Sequence, residues 1–179
     1  MYFLRGTHLG LRAIEPDDAS EAYLSWLNDE ETTRGLESGK YPTTLPDLRR
    51  YLEQVAADPH TVMLAMIEQA SGRHVGNIKL HNFNWLNRTG EIGLLIGDKT
   101  AWGKGYGAES CQLVLAYGFN RLNLHKIWLA VYANNPAAIR LYEKIGFVHE
   151  GRQREQVFSD GVYVDKLFMG MLAHEWKVL

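Results

Sequence analysis

Apolar positions along this chain follow two periods, and the switches between them mark its elements. At residues 9–14, Leu9, Leu11 and Ala13 alternate with Gly10, Arg12 and Ile14, the period of a strand. Pro16 then opens a helix with Asp17 and Asp18 in its first turn, where carboxylates suit the helix dipole. Its apolar stripe is Ala19, Ala22, Tyr23 and Trp26, and Asn28-Asp29 ends it. Residues 30–43 carry Gly35, Gly39 and Pro42 and read as loop with one helical turn. Thr44 and Asp47 form a capping box for a second helix through Leu48, Tyr51, Leu52 and Val55, stopped by Asp58-Pro59. Period two returns at 62–67, 74–83 and 90–96, separated by a Ser71-Gly72 turn and a polar stretch at 84–88. These three segments predict an antiparallel meander.

A third helical stripe follows in Ala108, Cys111, Leu115, Phe119 and Leu122. The unbroken run Ile127-Trp128-Leu129-Ala130-Val131 predicts a central strand covered on both faces. Asn135 is a good N-cap, Pro136 suits a first helical position, and Gly146 closes that helix after Ile145. A strand starts at 147–150, Ser159-Asp160-Gly161 makes a hairpin turn, and 162–172 is the last strand. The order β-α-α-β-β-β-α-β-α-β-β predicts a mixed α/β fold in one domain spanning 1–179, with the third helix joining two parallel central strands.

Composition narrows this picture. With 179 residues, 46% apolar and 22% charged, the chain has the make-up of an ordinary globular domain. A net charge of −2 argues against a general grip on nucleic acid. The single cysteine, Cys111, excludes an internal disulfide and fits a reducing cytoplasm. No apolar run reaches the roughly 20 residues of a membrane span. The N-terminus lacks a signal-peptide core, and the seven histidines lack paired metal spacing, so no metal is expected.

The candidate chemistry starts in the turn between the meander and the third helix, where Gly103, Gly105 and Gly107 occupy alternate positions. Glycine permits positive φ and close approach of a ligand. The unpaired amides and positive dipole at the start of the following helix then favour an anion, most often phosphate. The Gly-Lys-Ser/Thr of a Walker loop is absent, and the spacing is not the dinucleotide fingerprint.

Three motifs in sequence carry a resemblance. They are Ile96-Gly97 to Gly103-Lys104-Gly105-Tyr106-Gly107, then Lys126-Ile127-Trp128-Leu129-Ala130-Val131, then Asn135-Pro136-Ala137-Ala138-Ile139-Arg140-Leu141-Tyr142-Glu143-Lys144-Ile145-Gly146-Phe147. Together they resemble the GCN5-related N-acetyltransferases (GNAT), and Leu11-Arg12, Asp17-Asp18, Trp26 and the ending 165–172 resemble the RimJ/RimL-like branch. The resemblance implies a GNAT fold. Its central twisted sheet is mostly antiparallel, splayed between the fourth and fifth strands, with helices on both faces. It also implies acetyl-CoA as cofactor. The amides of Gly103, Lys104, Gly105, Tyr106, Gly107 and Ala108 would hold the pyrophosphate, and Trp102 stands where the family has Gln or Arg. Pantetheine would lie along Leu94, Leu95 and Ile96, with Asn134 or Asn135 touching it.

Acetyl transfer needs a neutral amine, a polarised carbonyl and a protonated leaving thiolate. Tyr142 shares a helix face with Ala138, Leu141 and Ile145, so it points inward, and the family gives a tyrosine at this place the role of protonating the thiolate. Glu91, just before Gly93 on the splayed strand, is the candidate base, acting directly or through water. A backbone amide at about Leu95 would polarise the carbonyl. Candidate acceptor-lining residues are Trp26, Asn28, Tyr41, Lys79, His81, Asn82, Asn84, Trp85 and Tyr163. Three acceptors stay open: an amino sugar, a ribosomal-protein N-terminus, or a polyamine held by Asp29, Glu30, Glu31 and Glu37. A non-catalytic CoA-binding domain is the reading from a different class. No membrane partner is expected, and exposed strand edges would allow a homodimer.

Overall fold

The computed structural model describes residues 1–177. Its frame is one eight-stranded sheet in the order β1-β2-β3-β4-β5-β6-β8-β7. The strands are β1 (Leu4–Arg5), β2 (Leu9–Ala13), β3 (Val62–Glu68), β4 (His74–Asn84), β5 (Thr89–Ile96), β6 (Lys126–Tyr132), β7 (Val148–Ser159) and β8 (Val162–Leu172). Every pair is antiparallel except β5–β6. The helices are α1 (Glu21–Leu27), α2 (Glu30–Thr33), α3 (Leu45–Ala57), α4 (Tyr106–Asn120) and α5 (Pro136–Ile145). No helix among the described residues is long and apolar enough to cross a membrane.

Alternation along β3 divides the core. Leu64 and Met66 join Leu9, Leu11, Ile78, Leu115, Ile127 and Met169 beneath α4 and α5. Met63, Ala65 and Ile67 join Tyr23, Trp26, Leu48 and Leu52 of α1 and α3 on the opposite face. Each fully buried Leu or Ile contributes about 1.5–3 kcal/mol, so both helix layers are held by apolar burial.

Several expectations need correction. The short edge strand β1 has too few residues to show a period. Pro16–Asp18 is a separate 3-10 turn, and α1 starts afresh behind the N-cap Ser20. The break lies at Ala19 and Ser20, whose ψ angles of 81° and 162° are not helical, while the Asp18 carboxylate takes the Glu15 N–H as the capping box of the 3-10 turn and both terminal nitrogens of the Arg12 guanidinium. α4 begins at Tyr106 rather than 108, since Gly105 at φ +82° is its N-cap. β6 is covered on one face only: Ile127, Leu129 and Val131 are buried, whereas Trp128 and Ala130 are half-buried. The Thr44/Asp47 capping box, the Asn135 cap and the αL Gly146 (φ +111°) stand as expected.

Candidate active site

β5 and β6 share only three rungs, Thr89–Lys126, Gly90–Ile127 and Glu91–Trp128. Beyond these the strands part, while β5 stays paired with β4 to Ile96 and β6 with β8 to Tyr132. The sheet therefore opens as a V whose vertex is the Glu91–Trp128 rung. The Gly97 N–H donates to the Val75 carbonyl at 3.0 Å, which sets the phase of the β4–β5 ladder. Antiparallel pairs alternate, so odd residues of β5 bond to β4, and Ile92, Leu94 and Ile96 turn their N–H and C=O into the V. The expected carbonyl-polarising amide at Leu95 is thus spent on β4, and Leu94 offers the nearest free one.

Past the V, Gly103 (φ +73°) and Gly105 (φ +82°) turn the chain into α4, and a Cβ at either position would meet nothing within 4 Å. The amides of residues 103–108 donate to no protein acceptor among the described residues; the first amide that does is Glu109, to Gly105 O at 3.1 Å. Gly107 serves another purpose. Its missing Cβ would lie 3.0 Å from Leu141 Cδ2 and 3.4 Å from Leu94 Cδ2, so it lets α4 press against α5 and β5. Trp102 spends its amide on Lys99 O at 3.1 Å and its indole N–H on Ile96 O at 2.9 Å. Its side chain thus closes the end of the V.

Side chains behind this loop converge on Glu68, a residue absent from the sequence expectations. Tyr106 Oη donates to it at 2.7 Å, Lys104 Nζ lies 3.2 Å away, and Ser71 Oγ and Arg73 Nη2 add further bonds. These donors, Ser71 first and then Tyr106 and Lys104, pull the Glu68 carboxyl down to about 2. The same bond pushes the Tyr106 phenol up to about 12. Arg73 continues to Asp98 at 2.8 Å, so the strand ends beneath the loop are tied into one network. No spacing in the sequence advertises such a cluster, because its members come from the end of β3, the turn after it, the glycine loop and the start of α4.

Tyr142 is buried on the α4/α5 face, its ring edge-on to Phe147 at 5.7 Å. Its hydroxyl has no protein hydrogen-bond partner among the described residues, and the residue as a whole is 8% exposed. Burial, with a smaller contribution from Cys111, raises its pKa, so the phenol keeps its proton at working pH.

The other face of the vertex carries Glu91, Lys79 and His81. Glu91 accepts from Asn82 Nδ2 at 2.7 Å. Lys79 and His81 curl over Gly93, where a Cβ would lie 3.0 Å from Lys79 Cε and 3.8 Å from His81 Nε2. Burial, then Lys79, lowers the His81 pKa. Half-buried Trp128 and Phe168, with ring centroids 6.2 Å apart, extend this face across β6 and β8.

The segment with α2 straps across the mouth of the V. On one bank Lys99 Nζ meets Asp29 at 2.9 Å and Glu31 at 2.7 Å. On the other bank Lys166 pairs with Glu37 at 3.5 Å and Arg34 with Asp160 at 3.7 Å, and Gly35 lies against the Asn135 side-chain amide.

The remaining expected site residues are placed elsewhere. Trp26 is buried flat over Gly97, where a Cβ would clash at 2.0 Å, so it is core and not a pocket wall. Asn28 latches Thr43 through both its amide groups, at 2.9 Å each. Asn84 accepts the Asn87 N–H within its turn. Asn82, at φ +51°, bulges the strand and turns Phe83 to the Gly90 side, and Trp85 stacks on Phe83 at 4.8 Å; Trp85 therefore leaves the Glu91 face. Tyr163 stands 66% exposed on the β7–β8 hairpin beside Phe158, and Tyr41 is also exposed. Asn134 donates to Ser159 Oγ at 3.1 Å, and Asn135 caps α5 through the Ala138 N–H. Trp128 was missed because its unbroken apolar run reads as buried on both faces, and Phe168 because alternation alone does not say which face of a strand meets the site.

A family model described as "Acetyltransferase (GNAT) domain" matches residues 8–148. The chain is 38% identical to the probable N-acetyltransferase YjcK of Bacillus subtilis over 94% of its length and 96% of the relative's. It is 29% identical to the putative ribosomal N-acetyltransferase YdaF of the same organism, covering 95% of this chain and 94% of that one. The solved spermidine N-acetyltransferase of Vibrio cholerae, in complex with CoA and spermine, superposes with TM-score 0.85 at 28% identity, covering 95% of this chain and 98% of that one.

Proposed function

This chain belongs to the GNAT acetyltransferases and is an acetyl-CoA-dependent N-acetyltransferase, and on that footing we propose that it acetylates the N-terminal amine of a protein. The six unpartnered amides at 103–108, at the positive end of α4, suit the CoA pyrophosphate. Open space beside Gly103 and Gly105 lets a phosphate come close. Acetyl-CoA supplies an activated acyl group on a thiol that leaves as thiolate. The Leu94 C=O and the Ile96 N–H are left for the pantetheine arm, the Ile96 C=O being held by Trp102, and the Leu94 N–H would polarise the acyl oxygen. Tyr142 holds a phenolic proton for the thiolate. Glu91, oriented by Asn82, takes the proton of the acceptor amine directly or through water.

The observation that carries the acceptor class is the state of the strap. A polyamine needs a row of free carboxylates, yet of the four expected acids Asp29, Glu31 and Glu37 already hold Lys99 and Lys166 of the same chain, which leaves Glu30 alone without an ion pair among the described residues. What is left at the vertex is an open sheet face, which suits a chain end better than a long polycation. The second reading, a polyamine, is favoured by the solved neighbour with CoA and spermine, and it requires Lys99 and Lys166 to be displaced.

The test is CoA-thiol release from acetyl-CoA with short free-N-terminal peptides, with spermidine and spermine, and with amino-sugar nucleotides. Turnover on peptides supports the proposal. Turnover confined to polyamines or to sugars overturns it.

A further inference from the structure

Lys79 is the cation at the vertex that nothing neutralises. Lys99, Lys104, Lys126 and Lys166 each meet a carboxylate. Around the half-buried Lys79 no carboxylate lies within 4.0 Å among the described residues. Its stem lies across Gly93, at the position where any side chain would push it away. Burial lowers its pKa and Glu91 partly restores it, so the two charges sense each other without forming an ion pair. A charge drawn out of water without a partner is costly, and such costs persist where a ligand supplies the partner.

Glu91 is the complement. Its carboxylate faces the same side of the sheet, accepts only the neutral Asn82 amide and meets no cation within 4.0 Å among the described residues. The vertex thus presents one negative and one positive group, separated by His81 and Gly93, beside the half-buried Trp128. A zwitterionic acceptor matches this arrangement, with its amine at Glu91 and an acid at Lys79.

We propose that Lys79 is a specificity-determining residue that selects acceptors bearing a carboxylate next to the amine, namely protein N-termini with an acidic residue in first or second place. The inference rests on the N-terminal acceptor reading and sharpens it. The same charge repels a polyamine, whose second ammonium would approach Lys79.

Two short peptides test this, identical except that the second residue is Asp in one and Asn in the other. The wild-type enzyme should show a kcat/KM ratio of roughly 10 in favour of Asp, the size of one charge-assisted contact. Lys79→Met should collapse that ratio to about 1, Lys79→Arg should keep most of it, and Lys79→Glu should invert it. Acetyl-CoA affinity measured by calorimetry on each variant confirms that the fold and donor site survive. A wild-type ratio near one, or a Lys79→Met enzyme that keeps the preference, overturns the inference alone. Acetylation of neither peptide overturns the N-terminal acceptor and this inference with it.

Discussion

The two sides of the V are built by opposite means. The donor side is backbone: free amides at 103–108, the carbonyl and amide of Leu94, the amide of Ile96, and glycines that let helices and ligand approach. Its supporting side chains are tied to Glu68, which is buried. The acceptor side is made of side chains: Glu91, Lys79 and His81 on an open sheet face, under a strap held by ion pairs at 44% and 59% exposure for Lys99 and Glu31. Backbone geometry survives most substitutions, whereas exposed charges are cheap to rearrange. One fold can therefore keep a common donor while its acceptors diverge.

The sharpest way to break this contrast is Tyr142→Phe, which removes one oxygen and leaves the packing against Phe147 in place. If Tyr142 supplies the thiolate proton, kcat should fall by about 100-fold or more while acetyl-CoA affinity holds within about threefold. Steady-state kinetics beside calorimetry separates the two. An unchanged kcat would return Tyr142 to the core as packing alone.

The same contrast explains what could be read in the sequence. The glycine turn, the Asn135-Pro136 start and the meander are local patterns, and each sits where its spacing placed it. The V itself followed from the resemblance of three motifs. Acceptor residues come together through the sheet, and no local pattern encodes that. Trp26 keeps the place its helical stripe gave it and covers Gly97, so it does not line an acceptor pocket. Trp85 failed because a single bulge at Asn82 moved it to the other face. Glu68 was invisible because its partners lie up to 38 residues away.

A middle-sized effect is expected at Glu68. Glu68→Gln removes the charge shared by Lys104, Tyr106 and Arg73 behind the donor loop. Acetyl-CoA affinity should fall by about three- to tenfold, with the melting temperature lowered at neutral pH. The pH dependence has a definite sign. The folded carboxyl sits at about 2 against an ordinary 4.5, so its contribution is present above 4.5 and is lost as pH falls toward 2. The gap in melting temperature between wild type and variant should be flat from neutral pH to about 5 and should then close. A gap that persists at pH 2 would mean that packing, not charge, is what the substitution removes.

The smallest effect tests the acceptor side. Lys99→Met releases Asp29 and Glu31, freeing one end of the strap. Asp29 stays low because its carboxyl, at about 2, is held first by the Thr32 hydroxyl and only then by Lys99. The melting temperature should therefore move by no more than about 2 °C. The acceptor KM should rise about two- to threefold at low ionic strength, and the difference should vanish near 1 M salt, where the screening length is about 3 Å. The variant also frees the carboxylates that a polyamine would need. If Lys99→Met gains activity on spermidine while losing none on peptides, the lysine is a filter in the strap and not merely a tether.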